Sequence, residues 1–374
     1  MPDTRLLKVL LAVLLACTAG ARAAENGTHP WESLVVQDSG RRKPLVTFGH
    51  ETLVKIAGRD PVQTRDGTSV NGTDFILSML YATRDWSDEP VLLVAYRPLA
   101  TKLGLDPSRR LFSQKELADA TDLQTLSGQA ASLRQSGQPV PRLESEAQAV
   151  LGRLALFQAL GDTSALLLVP PPPKAAPGSA WLPIGALGTA YPPAQAAPIL
   201  RDLRRLGGEL RSGDMVASAA TAEKLREGLR ALNPGVFPPD KDIARELFYQ
   251  ALQPFDKAMW LFAAAFVFVA AGARHGWRRA PLLLGVAATI AGFAIMIYGV
   301  VLRVLIAGRA PVTNMYESVI WVALGTVFFG LAFFAAYRNR AMLLSALPVG
   351  FLCLLVARSL PVAMPARLDP LVPV

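Results

Sequence analysis

Four long apolar runs in the last third of the chain constrain its fold more than any other feature. They cover Lys257–Ala273, Pro281–Leu302, Met315–Tyr337 and Ala341–Ala357. The hydrocarbon core of a bilayer is about 30 Å thick and needs about 20 apolar residues of helix to cross it. The second and third runs meet that length with room to spare. The first and fourth lie near the lower limit, where flanking residues make up the difference. About four membrane spans are therefore expected over 256–357, followed by a tail, 358–374, on the outer face.

The leader sets the expected orientation. Arg5 and Lys8 precede a short apolar core, Val9 to Ala16, and Ala21-Arg22-Ala23 is a small-x-small cleavage site. Residues 1–23 thus read as a secretory signal peptide. Lipoprotein processing at Cys17 and an uncleaved anchor are the alternatives, and all three place residues 24–255 outside the cytoplasm. Short basic loops then face inward, with Arg274, Arg278 and Arg279 after the first span and Arg338 and Arg340 after the third. Lys257, Arg303, Arg309, Arg358 and Arg367 lie on the other side, so the leader breaks the tie. The expected location is the bacterial cytoplasmic membrane, multi-pass, with the large N-terminal domain outside.

Residues 24–255 differ in texture, being polar and rich in proline and glycine turns. The expected fold class is mainly α: polytopic membrane helices preceded by an extracytoplasmic, helix-rich α+β domain. Ser113 and Glu116 form a capping box opening a helix towards Leu126. Apolar spacings of three and four predict helices over Glu144 to Leu160, Ala194 to Leu210, Thr221 to Leu232 and Asp240 to Leu252. Val91 to Ala95 and Ala165 to Val169 read as strands, and Pro170 to Pro173 as a stiff linker between subdomains.

Charge and cysteine content exclude several functions. The net charge is +9, carried by 38 lysines and arginines in ones and twos, without a basic stripe and interleaved aromatics, which argues against nucleic acid. The two cysteines, Cys17 and Cys353, form neither Cys-x-x-Cys nor Cys-x-x-Cys-His. The chain is thus neither a thiol–disulfide oxidoreductase nor a c-type cytochrome. His29 and His50 are not at ligand spacing, and Asp85, Asp88 and Glu89 around Trp86 read as an acidic loop face. Asn26-Gly27-Thr28 and Asn71-Gly72-Thr73 match glycosylation sequons weakly. His275, among loop arginines, reads as interfacial. No catalytic residue and no metal ligand can be assigned.

The informative segment is Gly308-Arg309-Ala310-Pro311-Val312-Thr313-Asn314-Met315-Tyr316-Glu317-Ser318, between the second and third spans. Glu317 sits at a helix N-terminus, where the helix dipole favours a carboxylate. Asn314 is expected to close the loop onto the helix start. Glu317 is expected to face protein and to pair with Arg303 or Arg309, because unpaired charge facing lipid is costly. Contact of Arg303 or Arg309 with a ligand's propionates is a second reading. If the loop is purely structural, Glu317→Gln is expected to be mild.

This segment resembles the G-x-x-P-[VL]-[ST]-N-x-x-E-S stretch of CcsA-type cytochrome c biogenesis proteins, also called ResC. Pro361 to Val374 looks like the outer loop that follows in that family. Gln37 to Leu45, with Thr47 and Phe48, is similar to an N-terminal extension of some fused members. The resemblance marks Arg309, Pro311, Asn314, Glu317 and Ser318 as family-motif residues. It implies haem as cofactor, handled at the outer face and attached to apocytochrome c. It also implies a ResB-like partner, a thiol-reducing pathway and residence in the lipid bilayer. The family's WWD motif does not occur, and no histidine follows His275, so no haem ligand carries over. The chain therefore reads as an incomplete or split portion awaiting a C-terminal haem-handling part. The competing reading is a membrane-anchored periplasmic binding module without haem chemistry.

Overall fold

The computed structural model describes residues 29–176, 178–274, 279–366 and 368. The leader, His275 and the last residues of the tail lie outside them. The chain divides into two compact units, His29–Pro239 and Asp240–Val374.

Three two-stranded antiparallel ladders and nine helices build the described part of the first unit. A 3-10 turn, Pro30–Ser33, leads into β1 (Val35–Asp38) and β2 (Arg41–Pro44), whose register pairs Val35 with Pro44. Helix α1 (Leu45–Ala57) follows and ends at Gly58, whose φ of 73° is the left-handed conformation that glycine adopts without a Cβ penalty. A small ladder, β3 (Val62–Gln63) with β4 (Ser69–Val70), leads to α2 (Gly72–Leu80). The Asn71 side chain caps α2 by accepting from the Asp74 N–H. Then come β5 (Leu92–Leu93), α3 (Arg97–Lys102), and β6 (Leu111–Phe112), which pairs with β5.

Both halves of the expected capping box form at Ser113 and Glu116. The helix they open is nevertheless short. It stops at Ala118 as α4 (Gln114–Ala118), and the chain restarts as α5 (Asp122–Gln135). Asp119 and Thr121 carry side chains that compete with the backbone for hydrogen bonds. The break lets Leu117 on one helix and Leu123 and Leu126 on the next enter the same core. Helices α6 (Arg142–Gly161), α7 (Leu187–Ala190), α8 (Pro193–Ser212) and α9 (Met215–Leu232) complete the unit.

Two sequence expectations change here. Ala165 to Val169 makes only isolated bridges, Gln37 with Leu167 and Val169 with Leu182, rather than a ladder. The start of the proline run, Pro170 and Pro171, is buried in the unit, and the run does not divide it. The Tyr191 hydroxyl donates to the Pro170 carbonyl at 2.8 Å, and the Asn233 amide to that of Pro171 at 2.8 Å. Prolines have no N–H to satisfy, so such a segment can be buried once its carbonyls find donors.

Two buried cations in this unit are held by carboxylates or carbonyls. Lys43, fully buried, donates to Asp38 at 2.8 Å and to Glu51 at 2.6 Å. Arg153 on α6 donates to the carbonyls of Lys55 at 3.2 Å and Leu93 at 3.0 Å, tying the end of α1 and β5 to α6.

The second unit holds α10 (Asp240–Leu252), α11 (Pro254–Arg274), α12 (Arg279–Ala307), α13 (Met315–Tyr337) and α14 (Ala341–Ser359). Four stretches are long and apolar enough to cross a membrane: Asp240–Gly272, Ala280–Ala307, Met315–Tyr337 and Ala341–Ser359. The chain is thus mainly helical, with four candidate membrane spans. Small residues let α11 and α12 approach closely. A Cβ on Gly285 would fall 2.6 Å from a Val269 methyl, and one on Gly292 would fall 2.7 Å from the Phe262 ring. Such small-residue seams are how helices pack where lipid removes the hydrophobic driving force.

Candidate functional site

The loop joining α12 to α13 is built around one carboxylate. Gly308, with φ of 65°, turns the chain out of α12, and Asn314 restarts it as the N-cap of α13. The Asn314 Oδ1 accepts from the Glu317 N–H at 2.8 Å, and the Asn314 carbonyl accepts from the Ser318 hydroxyl at 3.2 Å. The Pro311 carbonyl accepts from the Trp321 indole at 2.7 Å. The loop is thereby folded back over the first turns of the helix it starts.

Glu317 lies inside this fold, only 2% exposed. Its Oε1 accepts from Arg303 Nη2 at 2.9 Å. Its Oε2 accepts from Arg309 Nη1 at 3.0 Å, the Thr313 N–H at 2.9 Å and the Thr313 hydroxyl at 3.1 Å. Arg309 also reaches the Thr313 hydroxyl. The expected pairing with Arg303 or Arg309 becomes pairing with both at once.

Arg303, 1% exposed, gathers the surrounding elements. It donates to the Tyr249 hydroxyl on α10 at 3.2 Å and to the Ala366 carbonyl of the tail at 3.1 Å. Its guanidinium lies 5.1 Å from the centre of the Tyr316 ring, a cation–π distance. At the ends of α11 and α14, Arg358 pairs with Asp256 at 2.6 Å. Tyr249 and Ala366 had no signal in the sequence. Tyr316 could have been found, because it adjoins Glu317 in the first turn of the same helix.

Chemically, the arrangement binds a carboxylate rather than using one. Four donors converge on its carboxylate, one on Oε1 and three on Oε2. Glu317 is not placed to take a proton from a substrate. Its effect is to fix the loop and the start of α13 against α12.

The remaining candidates are dispersed. His29 stacks on Trp31 at 4.3 Å, and His50 Nδ1 bonds Asp60 at 2.7 Å. Asp88 pairs with Lys115 and Glu89 with Arg84. Among the described residues no group of three or more His, Cys, Asp or Glu side chains could hold a metal ion.

Among curated proteins, the chain resembles NrfI of Wolinella succinogenes. Identity is 24% over 345 residues, covering 84% of this chain and 34% of the relative. The match is too long to lie in either unit alone, so it takes in parts of both. The chain spans about a third of the length of NrfI. No protein-family profile matches the chain.

Proposed function

We propose that this chain serves cytochrome c biogenesis, in the handling of haem and its attachment to apocytochrome c at the outer face of the bacterial cytoplasmic membrane. The observation that carries the reading is the Gly308–Ser318 motif. Its CcsA-like residues run from the turn after the second of four membrane-capable helices into the first turn of the third. The likeness to NrfI points to the same general kind of process, cytochrome c maturation. On this reading the N-terminal unit lies outside the cytoplasm. A ResB-like subunit and a further haem-handling part complete the assembly.

A bis-histidine haem does not fit the residues described. Their imidazoles are His29 and His50, both in the first unit and both already engaged, which leaves no histidine pair for such an iron site. The described part of the membrane unit contains no histidine. On this reading haem is cargo. This chain's own contribution is the locked loop that holds α12, α13 and the tail in register at one end of the helices.

The test is genetic. Deleting the gene should remove haem-stained c-type cytochromes from membranes and periplasm, and a plasmid copy should restore them. Unchanged haem staining in the deletion strain would sink the reading.

A further inference from the structure

A groove of about 320 Å³ runs between α13 and α14 on the outside of the second unit. Gly330 and Ala346 form its floor. A Cβ on Gly330 would fall 2.4 Å from that of Ala346, and neither residue has the bulk to rise further. Phe329 (56% exposed), Phe333 (47%) and Val349 (43%) stand along its sides. Met342 lies at the end nearer the connection between the two helices. Two hydroxyls also line the groove, and both are turned back to their own helices. Thr326 Oγ1 donates to the Val322 carbonyl at 2.8 Å, and Ser345 Oγ to that of Met342 at 3.1 Å. The groove therefore offers no spare donor to a polar ligand and suits a hydrocarbon chain.

One end of this groove is basic and carries no acid. Helix α13 ends at Tyr337 and α14 begins at Ala341, with Arg338-Asn339-Arg340 between them. Arg340 Nη1 donates to the Gly272 carbonyl at 2.7 Å, which holds this connection against the end of α11. Gly272 lies in turn against the start of α12, since a Cβ on it would fall 3.1 Å from the Leu282 amide nitrogen. The same end of the unit thus gathers Arg274, the last residue of α11, and Arg279, the first of α12, with Arg278 between them in the sequence. Residues 257–316 and 318–368 contain neither Asp nor Glu. The acids nearest along the chain, Asp256 and Glu317, stand at the opposite ends of α11 and α13. Arg338 is exposed, and its side chain has no hydrogen-bond or ion-pair partner among the described residues. An anion is what this end of the helices lacks.

We propose that an anionic phospholipid is held here, with one acyl chain lying in the α13–α14 groove and its phosphate at Arg338 and the neighbouring arginines. The dimensions agree. Thr326, at the far end of the groove, lies twelve positions before Arg338, which is about 18 Å of helix. One leaflet is half of a hydrocarbon core about 30 Å thick. Charge decides the occupant. A neighbouring apolar helix would fill the groove and leave the arginines without an anion, and free phosphate would meet the arginines and leave the groove empty. A phospholipid does both, as basic pockets between membrane helices do. The inference goes beyond the cytochrome c reading and stands without it, needing only that these helices lie in a bilayer.

The test is native mass spectrometry of the full chain in detergent, titrated with phosphatidylglycerol and with phosphatidylcholine. The wild type should bind phosphatidylglycerol saturably and at least about tenfold more tightly than phosphatidylcholine, and excess glycerol 3-phosphate should not displace it. Arg338→Gln should weaken phosphatidylglycerol binding about fivefold and leave phosphatidylcholine unchanged. Ala341→Glu puts a carboxylate at the exposed first position of α14, where the helix dipole favours it, and should act in the same direction. Ser345→Trp fills the groove from an exposed position and should weaken both lipids; if it lowers the melting temperature, Ser345→Leu takes its place. Equal affinity of the wild type for the two lipids overturns the proposal. So does displacement by glycerol 3-phosphate, which marks a phosphate site without the groove. Phosphatidylglycerol binding that the Ser345 variants leave unchanged overturns it too, and leaves the groove to a neighbouring helix.

Discussion

At the scale of single residues, Glu317 is the position on which most depends. Its shape and hydrogen-bonding capacity alone suggest that glutamine is a mild replacement. The contacts around it argue for a larger effect. Both carboxylate oxygens receive donors, Arg303 on one and Arg309 and Thr313 on the other, so an amide nitrogen at either place meets a donor. Glu317→Gln should lower the amount of folded protein in membranes. Glu317→Leu should lower it further, because it leaves Arg303 buried without its carboxylate, a loss of roughly 3–5 kcal/mol. Quantitative immunoblotting of membranes, with melting in detergent, checks both; wild-type levels in Glu317→Leu would show that the pair contributes nothing. Glu32 offers a second test. Burial and the neighbouring Asp74 carboxylate push its pKa from the ordinary 4.5 up to about 7. The folded state therefore holds a proton that the unfolded state releases between about pH 4.5 and 7, and stability falls as pH rises through that window. Glu32→Gln should match the wild type near pH 4.5 and be more stable at pH 7.5 by on the order of 2 kcal/mol, seen as a higher melting temperature. Equal pH profiles for the two proteins would contradict this account.

At the scale of elements, close approach is the recurring device. Helices α1 and α2 touch through glycines: a Cβ on Gly49 would lie 2.6 Å from the Gly72 carbonyl carbon, and one on Gly72 would lie 2.2 Å from that of Gly49. Backbone on both sides leaves nothing flexible to yield. Gly49→Ala should therefore cost roughly 1–3 kcal/mol by overpacking, seen as a lower melting temperature and faster proteolysis of the His29–Pro239 unit. A melting temperature equal to the wild type would mean that the two helices can separate freely. Elements were also where the sequence was most legible. The 3.6-residue apolar spacing located the helices later found as Arg142–Gly161, Pro193–Ser212 and Asp240–Leu252 to within a few residues, because a helix that buries one face writes its period into the sequence. The run Met315–Tyr337 was recovered residue for residue, since its limits are set by the local signals of Asn314 and Arg338. What failed were features without a period. The break between α4 and α5 depends on where Leu117, Leu123 and Leu126 find a common core. The burial of the proline run depends on Tyr191 and Asn233, which lie 21 and 62 residues away from the carbonyls they satisfy.

At the scale of the whole molecule, the proposed function is tested through topology. The leader and the short basic loops motivate an outside N-terminal domain with both ends of the mature chain outside. Alkaline phosphatase fused after Val374 should be active, and fused after Arg279 inactive; the reverse pattern would overturn the orientation. Purified chain should also show no bis-histidine haem spectrum, given that its histidines are His29, His50 and His275, and a strong Soret band with bis-histidine features would overturn the reading of haem as cargo.

The sequence by itself determined the helical class, the four membrane-capable runs, the capping of α13 by Asn314 and the need of Glu317 for a cation. Each of these follows from interactions within a few residues or from a repeating apolar face. Only the tertiary structure decided that Arg303 and Arg309 share one carboxylate, and that Tyr249 and Ala366 close around Arg303. It alone brought Arg340 to the Gly272 carbonyl at the end of α11. Outside the Arg303, Arg309 and Glu317 group, the residues that meet are far apart along the chain. Their meeting is set by how whole helices pack, and no local pattern in the sequence records it.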